Sequence, residues 1–289
     1  MTPDLIANVV IAGLLTGLVY GLMALGLSVI FGVVRVVNFA HGEMMTIAMY
    51  AAVVLFATLG LDPLLAVVPV AAAFFAFGYV LQAGLINPFI TRPEHSQFML
   101  LVAIALVMVN ALLMIFGPDA RSVQVDYQLE SYAIGPILLD KARLLAAGIA
   151  VVTSAALFAF FRLTLVGKAI RACADNHLGA RVVGLNVKRL YALTFGLGSA
   201  CVAVAGCMMI LLVDVTPVLG PAYTLLAFVI VIVGGLGSMP GALLGGVLIG
   251  VSEALAGLLI VPSAKSMFSF ALLILVLLFR PQGLLGKKA

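Results

Sequence analysis

Nine apolar runs follow one another along this chain with little polar sequence between them, at about 5–33, 42–60, 63–86, 98–117, 143–162, 190–213, 222–236, 240–261 and 266–279. A helix of about twenty apolar residues crosses the hydrocarbon of a bilayer. Hydrophobic residues make up 65% of the chain and charged ones 9%. That balance excludes a water-soluble domain, which has to cover itself with polar side chains. A backbone in lipid must satisfy its polar groups internally, and none of the runs alternates as barrel strands do, so helices are expected. The expected fold is all-α and polytopic, with about eight or nine transmembrane helices in a single transmembrane domain over 1–289.

The first side-chain charge is Asp4 and the first Lys or Arg is Arg35. Without a basic leader, and with an apolar run too long for a signal peptide, the first run is expected to stay as a span. Lys and Arg set the orientation. The loop over 163–189 and its flank carry Arg162, Lys168, Arg171, Arg181, Lys188 and Arg189 against Asp175, and the tail adds Arg280, Lys287 and Lys288. Both are expected in the cytoplasm. Between Gly117 and Arg143 the charges nearly balance, so that loop is expected outside, with the N-terminus outside and the C-terminus inside. The net charge of +4 reflects these membrane-side loops and no nucleic-acid partner. Cys173, Cys201 and Cys207 read as reduced apolar fillers.

Two stretches break the apolar pattern, one in each half, at 31–52 and 231–255. In each, a long run meets Gly and polar residues and a new helix starts with hardly any loop. Paired interrupted helices point to a translocation site; two tight turns at the membrane surface are the competing reading. Gly13, Gly17 and Gly21 repeat every fourth residue, as do Gly241 with Gly245 and Gly246 with Gly250. Such spacing lets helix backbones approach closely.

No G-x-x-x-x-G-K-[ST] is present, so ATP is not bound through a P-loop. His41, His95 and His177 are scattered, without metal-ligand spacing, and no metal site is expected. Asp62 and Asp214 lie at span ends, which speaks against an intramembrane protease. Among polar groups within spans, Asn110 and Gln82 read as interhelical hydrogen-bond partners. Glu253 reads either as a lining residue of a path or as a fastener between helices. Asn38 is placed to cap the second helix, with Glu43 in its first turn; the functional reading adds that Gly42 frees the backbone and that His41 or Glu43 meets a solute. In the basic loop, Ile170, Ala174, Leu178 and Arg181 fall at helical spacing and Gly184 stands as a stop, which predicts one short helix over 169–184. It either lies on anionic lipid or docks on a partner.

Four stretches together resemble one family along nearly the whole chain: Tyr20 to Leu27, Val37 to Met44 with its N-F-A-H-G-E, the Gly167 to Gly184 loop, and Val233 to Ala242 with its G-G-x-G-S. The closing Arg280-Pro281-Gln282-Gly283-Leu284 is similar too. The family is the LivH-type permease subunit of branched-chain amino acid ABC importers. The resemblance implies a complex with a second, LivM-like permease, two ATP-binding subunits (LivG-like and LivF-like) and a periplasmic substrate-binding protein, in a bacterial inner membrane. ATP and Mg would be held by those partners, with no cofactor in this chain, which would not itself be an enzyme. It makes the basic loop a coupling helix, carried by Arg171, Ala172, Asp175, Ala180, Arg181 and Gly184; Gly179 departs from the usual Ala. The expected translocation path includes Asn38, His41, Glu43, Gly234, Gly235, Gly237, Ser238 and Glu253. Leucine, isoleucine and valine are the default solutes, with amides or urea as related ones. An ion-coupled secondary transporter and a channel are the competing classes.

Overall fold

The apolar runs fold as helices in the computed structural model, which describes residues 3–260 and 265–286. In chain order the helices are α1 (Pro3–Val34), α2 (His41–Leu59), α3 (Pro63–Leu81), α4 (Glu94–Phe116), α5 (Lys141–Leu163), α6 (Leu165–Asp175), α7 (His177–Val182), α8 (Val187–Met209), α9 (Gly220–Gly234), α10 (Met239–Leu259) and α11 (Lys265–Phe279). Among the described residues eight helices are long and apolar enough to cross a membrane, and the shorter α11 is a ninth apolar helix. Lys287 and Lys288 of the tail, expected on the cytoplasmic side, lie outside the described residues.

Helix α1 is the axis of the bundle, and its glycine spacing shows why. A Cβ built on Gly17 would sit 2.8 Å from Gly246 O, and one on Gly13 would sit 2.7 Å from Ala254 Cβ. The α1 stripe therefore faces Gly246 and Gly250 of α10, where the two backbones pack closely, whereas Gly241 and Gly245 face α9, against Gly234 O and Ile230 O. Helix α8 closes on the other flank. Gly198 meets Gly26 O of α1, and Gly206 meets Met45 O of α2, each within 2.7 Å of a built Cβ. Helix α3 starts on Asp62, whose carboxylate accepts from Leu64 N at 2.8 Å, with Pro63 in the first turn.

Two groups of contacts define the two ends of the bundle. At one end, Asn8 of α1 holds a small hairpin, Ser131–Ile134 paired antiparallel with Ile137–Asp140. There Tyr127 Oη donates to Asp62 Oδ1 at 2.8 Å, and burial together with the Asp62 carboxylate pushes the Tyr127 phenol up. At the other end lie Arg35, α6, α7 and Asn87, whose amide donates to Lys188 O at 3.2 Å. The basic residues of the 163–189 loop thus share one face with the end of α1, and the charge-balanced loop sits on the opposite face. The hairpin went unforeseen in that loop. It turns on Gly135, at φ 62, just before Pro136.

Asn110 and Gln82 do not bridge helices as expected. Asn110 is exposed on α4 and donates to Leu106 O of its own helix at 2.7 Å, because its outward direction offers no other acceptor. Gln82 Nε2 donates to Asn87 Oδ1 at 3.1 Å, within the π and 3-10 turns that end α3.

Candidate functional site

Helix α1 stops because Arg35 adopts φ 57, the single positive φ outside glycine among the described residues. A left-handed turn at a residue with a Cβ costs about 1–2 kcal/mol. The chain then folds back along α1, so that His41 Nε2 lies 2.9 Å from Met23 O. Met23 is 11 residues before the end of α1, about three helical turns. Helix α2 therefore begins inside the bundle, and the first break is a true interruption within the apolar layer.

Asn38 does not cap α2. Its Oδ1 accepts from Ala40 N at 3.1 Å, a local turn of the kind asparagine favours, and Ala40 occupies the cap position without a side-chain bond. The cap comes instead from α9, far away in sequence. Thr224 Oγ1 accepts from Gly42 N at 2.8 Å and lies 3.0 Å from Glu43 Oε2, to which it donates. Gly42 makes this possible, since a Cβ there would stand 2.7 Å from Thr224 Oγ1 and still closer to Thr224 N and Gly220 O. The first turns of α2 and α9 thus meet with the Glu43 carboxylate between them, where two helix N-termini supply positive potential. Asn38, His41 and Glu43 are all buried, with Glu43 3% exposed. In this structure they hold the break in place, and none of the three is among the residues lining the large cavity at the basic face.

The second break differs. The virtual Cβ of Gly237 lies 3.3 Å from Gly32 Cα, in the last turns of α1, so this break is a tight turn at the level of the basic face. Ser238 caps α10, accepting from Gly241 N at 3.2 Å. Gly234 abuts Gly241 across the hairpin of α9 and α10. Gly235 has φ 109 and meets the C-terminal segment: a built Cβ would touch Gly286 N. That segment satisfies the open carbonyls of α9, as Leu284 N donates to Val233 O and Leu285 N to Gly234 O, both at 2.9 Å. Sequence reading had no signal for this pairing. Gly234 and Gly235 thus occupy packing and turn positions, and Gly237 and Ser238 line a large cavity. Gly235→Leu is consequently expected to lower the yield of folded, detergent-extractable protein, whereas Ser238→Ala leaves it within twofold on the about 1 kcal/mol typical of a lost cap. Equal yields of monodisperse protein from both variants would contradict this placement.

That cavity opens at the basic face and measures about 1740 Å³. Its walls come from the end of α1, the start of α4, the end of α5, α6, the second break and the tail. Glu253 is not on it. Ser269 Oγ of α11 donates to Glu253 Oε1 at 2.7 Å, and Tyr20 of α1 lies beside the same carboxylate. The fastener reading of Glu253 is the one with contacts behind it, since the group joins α10 to α1 and α11.

The basic loop forms two helices where one was expected. Asn176 adopts φ −150 and ψ 97, ending α6, and its side chain caps α7 by accepting from Gly179 N at 2.9 Å. Gly179 fits this corner, against the Asn176 side chain. Gly184 does end the segment, at φ 85, with Gly184 N on Arg181 O and Leu185 N on Ala180 O, the bond pair of a glycine-terminated helix. Ile170, Cys173 and Ala180 are buried against the bundle. Arg171, Ala172, Asp175, Arg181 and Gly184 are exposed, as are Leu178 at 62% and Val182 at 88%. Ala180, at 5%, is therefore a root of this segment, not part of its outward surface. Burial pushes the Cys173 thiol up, and the three cysteines are free and buried.

Residues 9–277 match the family model described as branched-chain amino acid transport system / permease component. The chain is 31% identical over 288 residues to the high-affinity branched-chain amino acid transport system permease protein BraD of Pseudomonas aeruginosa, covering 95% of this chain and 94% of the relative. It is 33% identical over 292 residues, with the same coverage, to the permease protein LivH of the corresponding system of Escherichia coli. LivH of Salmonella typhimurium is likewise 33% identical, over 291 residues.

Proposed function

We propose that this chain, which belongs to the branched-chain amino acid transport permease family, carries leucine, isoleucine or valine inward across a bacterial cytoplasmic membrane as one half of an ABC importer's channel. The observation that carries the reading is the full-length likeness to LivH and BraD permeases, on a chain whose basic face presents the α6–α7 segment. An ion-coupled transporter working alone is not favoured, since its relatives are permease components.

In this reading the basic face is cytoplasmic, by the excess of Lys and Arg on it, and the tail lies on that side. A second, LivM-like permease completes the path, LivG-like and LivF-like subunits hold ATP and Mg, and a periplasmic binding protein delivers the solute to the opposite face. Arg171, Ala172, Asp175, Arg181 and Gly184 form the outward surface of the coupling segment, and Ala180 seats it. Gly237 and Ser238, on the cavity wall, mark the inner end of the path. Asn38, His41 and Glu43 hold the interrupted helix behind it, and Glu253 fastens the outer half.

The test is co-purification in mild detergent followed by reconstitution. Two ATPases and a second permease are expected with this chain, and the liposomes should take up leucine only with ATP and binding protein, with isoleucine and valine competing. Accumulation of leucine by this chain alone under an ion gradient would overturn the assignment to an ABC importer, and competition by urea but not isoleucine would overturn the solute class.

A further inference from the structure

The large cavity at the basic face has two chemically distinct kinds of wall. Arg35, Arg162, Lys168 and Arg171 line it against two acids, Glu94 and Asp175. Neither ion pair among the described residues involves these four cations: the pairs are Lys141 with Glu130 and Arg143 with Asp140. The remaining wall is strongly apolar, with Phe31, Phe98, Phe158 and Phe161 among its residues. At about 1740 Å³ the space exceeds the roughly 300–1,000 Å³ that usually encloses a small molecule. An amino acid would leave most of it unfilled.

We propose that the α5 and α6 side of this cavity seats an anionic phospholipid, its phosphate held by Arg35, Arg162 and Lys168 and its acyl chains laid against the phenylalanine wall. A free phosphate shares the cation chemistry but gives the aromatic wall nothing to cover. A zwitterionic lipid fits the wall but leaves the excess of cations uncompensated. Basic pockets between helices on the positive side of a membrane suit anionic headgroups, and the planar guanidinium grips phosphate oxygens two at a time. Arg35 is the most telling of the three. It stands at a backbone position, φ 57, that glycine would take without strain, and so places a basic side chain at the end of α1. A lipid bridging Arg35 to Lys168 on α6 would tie the first break to the outward-facing loop. The inference does not depend on which solute is carried, or on ATPase partners; it needs only that the chain sits in a bilayer.

The test uses the purified, assembled transporter, with phosphatidylglycerol, phosphatidylcholine and inorganic phosphate as probes. Phosphatidylglycerol is expected to survive detergent exchange, as read by mass spectrometry, and to raise the midpoint of thermal aggregation. Arg162→Gln and Lys168→Gln should each cut its retention roughly tenfold, the loss of one charge-assisted contact. Arg35→Gly, which keeps the left-handed backbone, should do the same, while Arg162→Lys, which keeps the charge but not the two-point grip, should retain more lipid than Arg162→Gln and less than wild type. Equal retention in wild type and the charge-removing variants would overturn the proposal. So would phosphatidylcholine held as tightly as phosphatidylglycerol, or a thermal shift reproduced by inorganic phosphate alone.

Discussion

Replacing Leu178 and Val182 together by glutamate is expected to abolish ATP-driven uptake while leaving the chain folded and inserted. Both side chains stand out from α7, at 62% and 88% exposure, with Val183 beside them at 75%. Little folding energy is lost with them, because most of each side chain is exposed. An apolar tip flanked by Arg171 and Arg181 is the surface a cytoplasmic partner would cover. Full burial of a Leu or Val is worth about 1.5–3 kcal/mol, so losing two such contacts weakens docking by more than about a hundredfold. The readouts are uptake in proteoliposomes and the amount of ATPase that co-purifies. Ala180→Trp provides the contrast. It looks like a docking change from sequence, yet Ala180 is 5% exposed and faces the bundle, so the variant should lose folded protein instead. Wild-type uptake by the double glutamate variant would remove α7 from the coupling surface.

Much of this architecture could be read from local pattern. The apolar runs became helices nearly one for one, because in lipid the length and hydropathy of a segment leave its backbone a single regular option. The four-residue spacing of Gly13, Gly17 and Gly21 on α1 and of Gly246 and Gly250 on α10 became their shared seam for the same reason: small-residue spacing is a direct statement about how closely two backbones approach. Legibility ended where a contact joins distant residues. Asn38 had the look of a cap, but the group that receives Gly42 N is Thr224, 182 residues away. The depth of the first break was hidden, since nothing in the residue types says that Arg35 turns left-handed and sends the chain back to Met23. The contacts of the second break were hidden too: Gly234 and Gly235 meet a hairpin and the tail that covers it, and nothing in the local pattern points to that tail. Asn176 is a different kind of miss. Its capping tendency was visible, but Ile170, Ala174, Leu178 and Arg181 keep helical spacing across it, and spacing alone cannot report a corner.

The meeting of α2 and α9 carries the second large expectation. Gly42→Leu should leave no extractable folded transporter, because its first side-chain atom would fall on Thr224 and on Gly220 O, and that backbone belongs to a helix that cannot give way. Thr224→Val is the finer test. It removes a hydroxyl that accepts from Gly42 N and donates to Glu43 Oε2, at a position 4% exposed. Each buried group left unpaired costs about 1–3 kcal/mol, more where it is charged. Valine keeps the volume and the branching, so the loss is electrostatic and not steric. Thr224→Ser should then recover most of the thermal stability, since it restores both bonds and gives up only a methyl group. If the aggregation midpoints of the valine and serine variants coincide, the hydroxyl does not hold these helices together, and the buried Glu43 must owe its place to another contact.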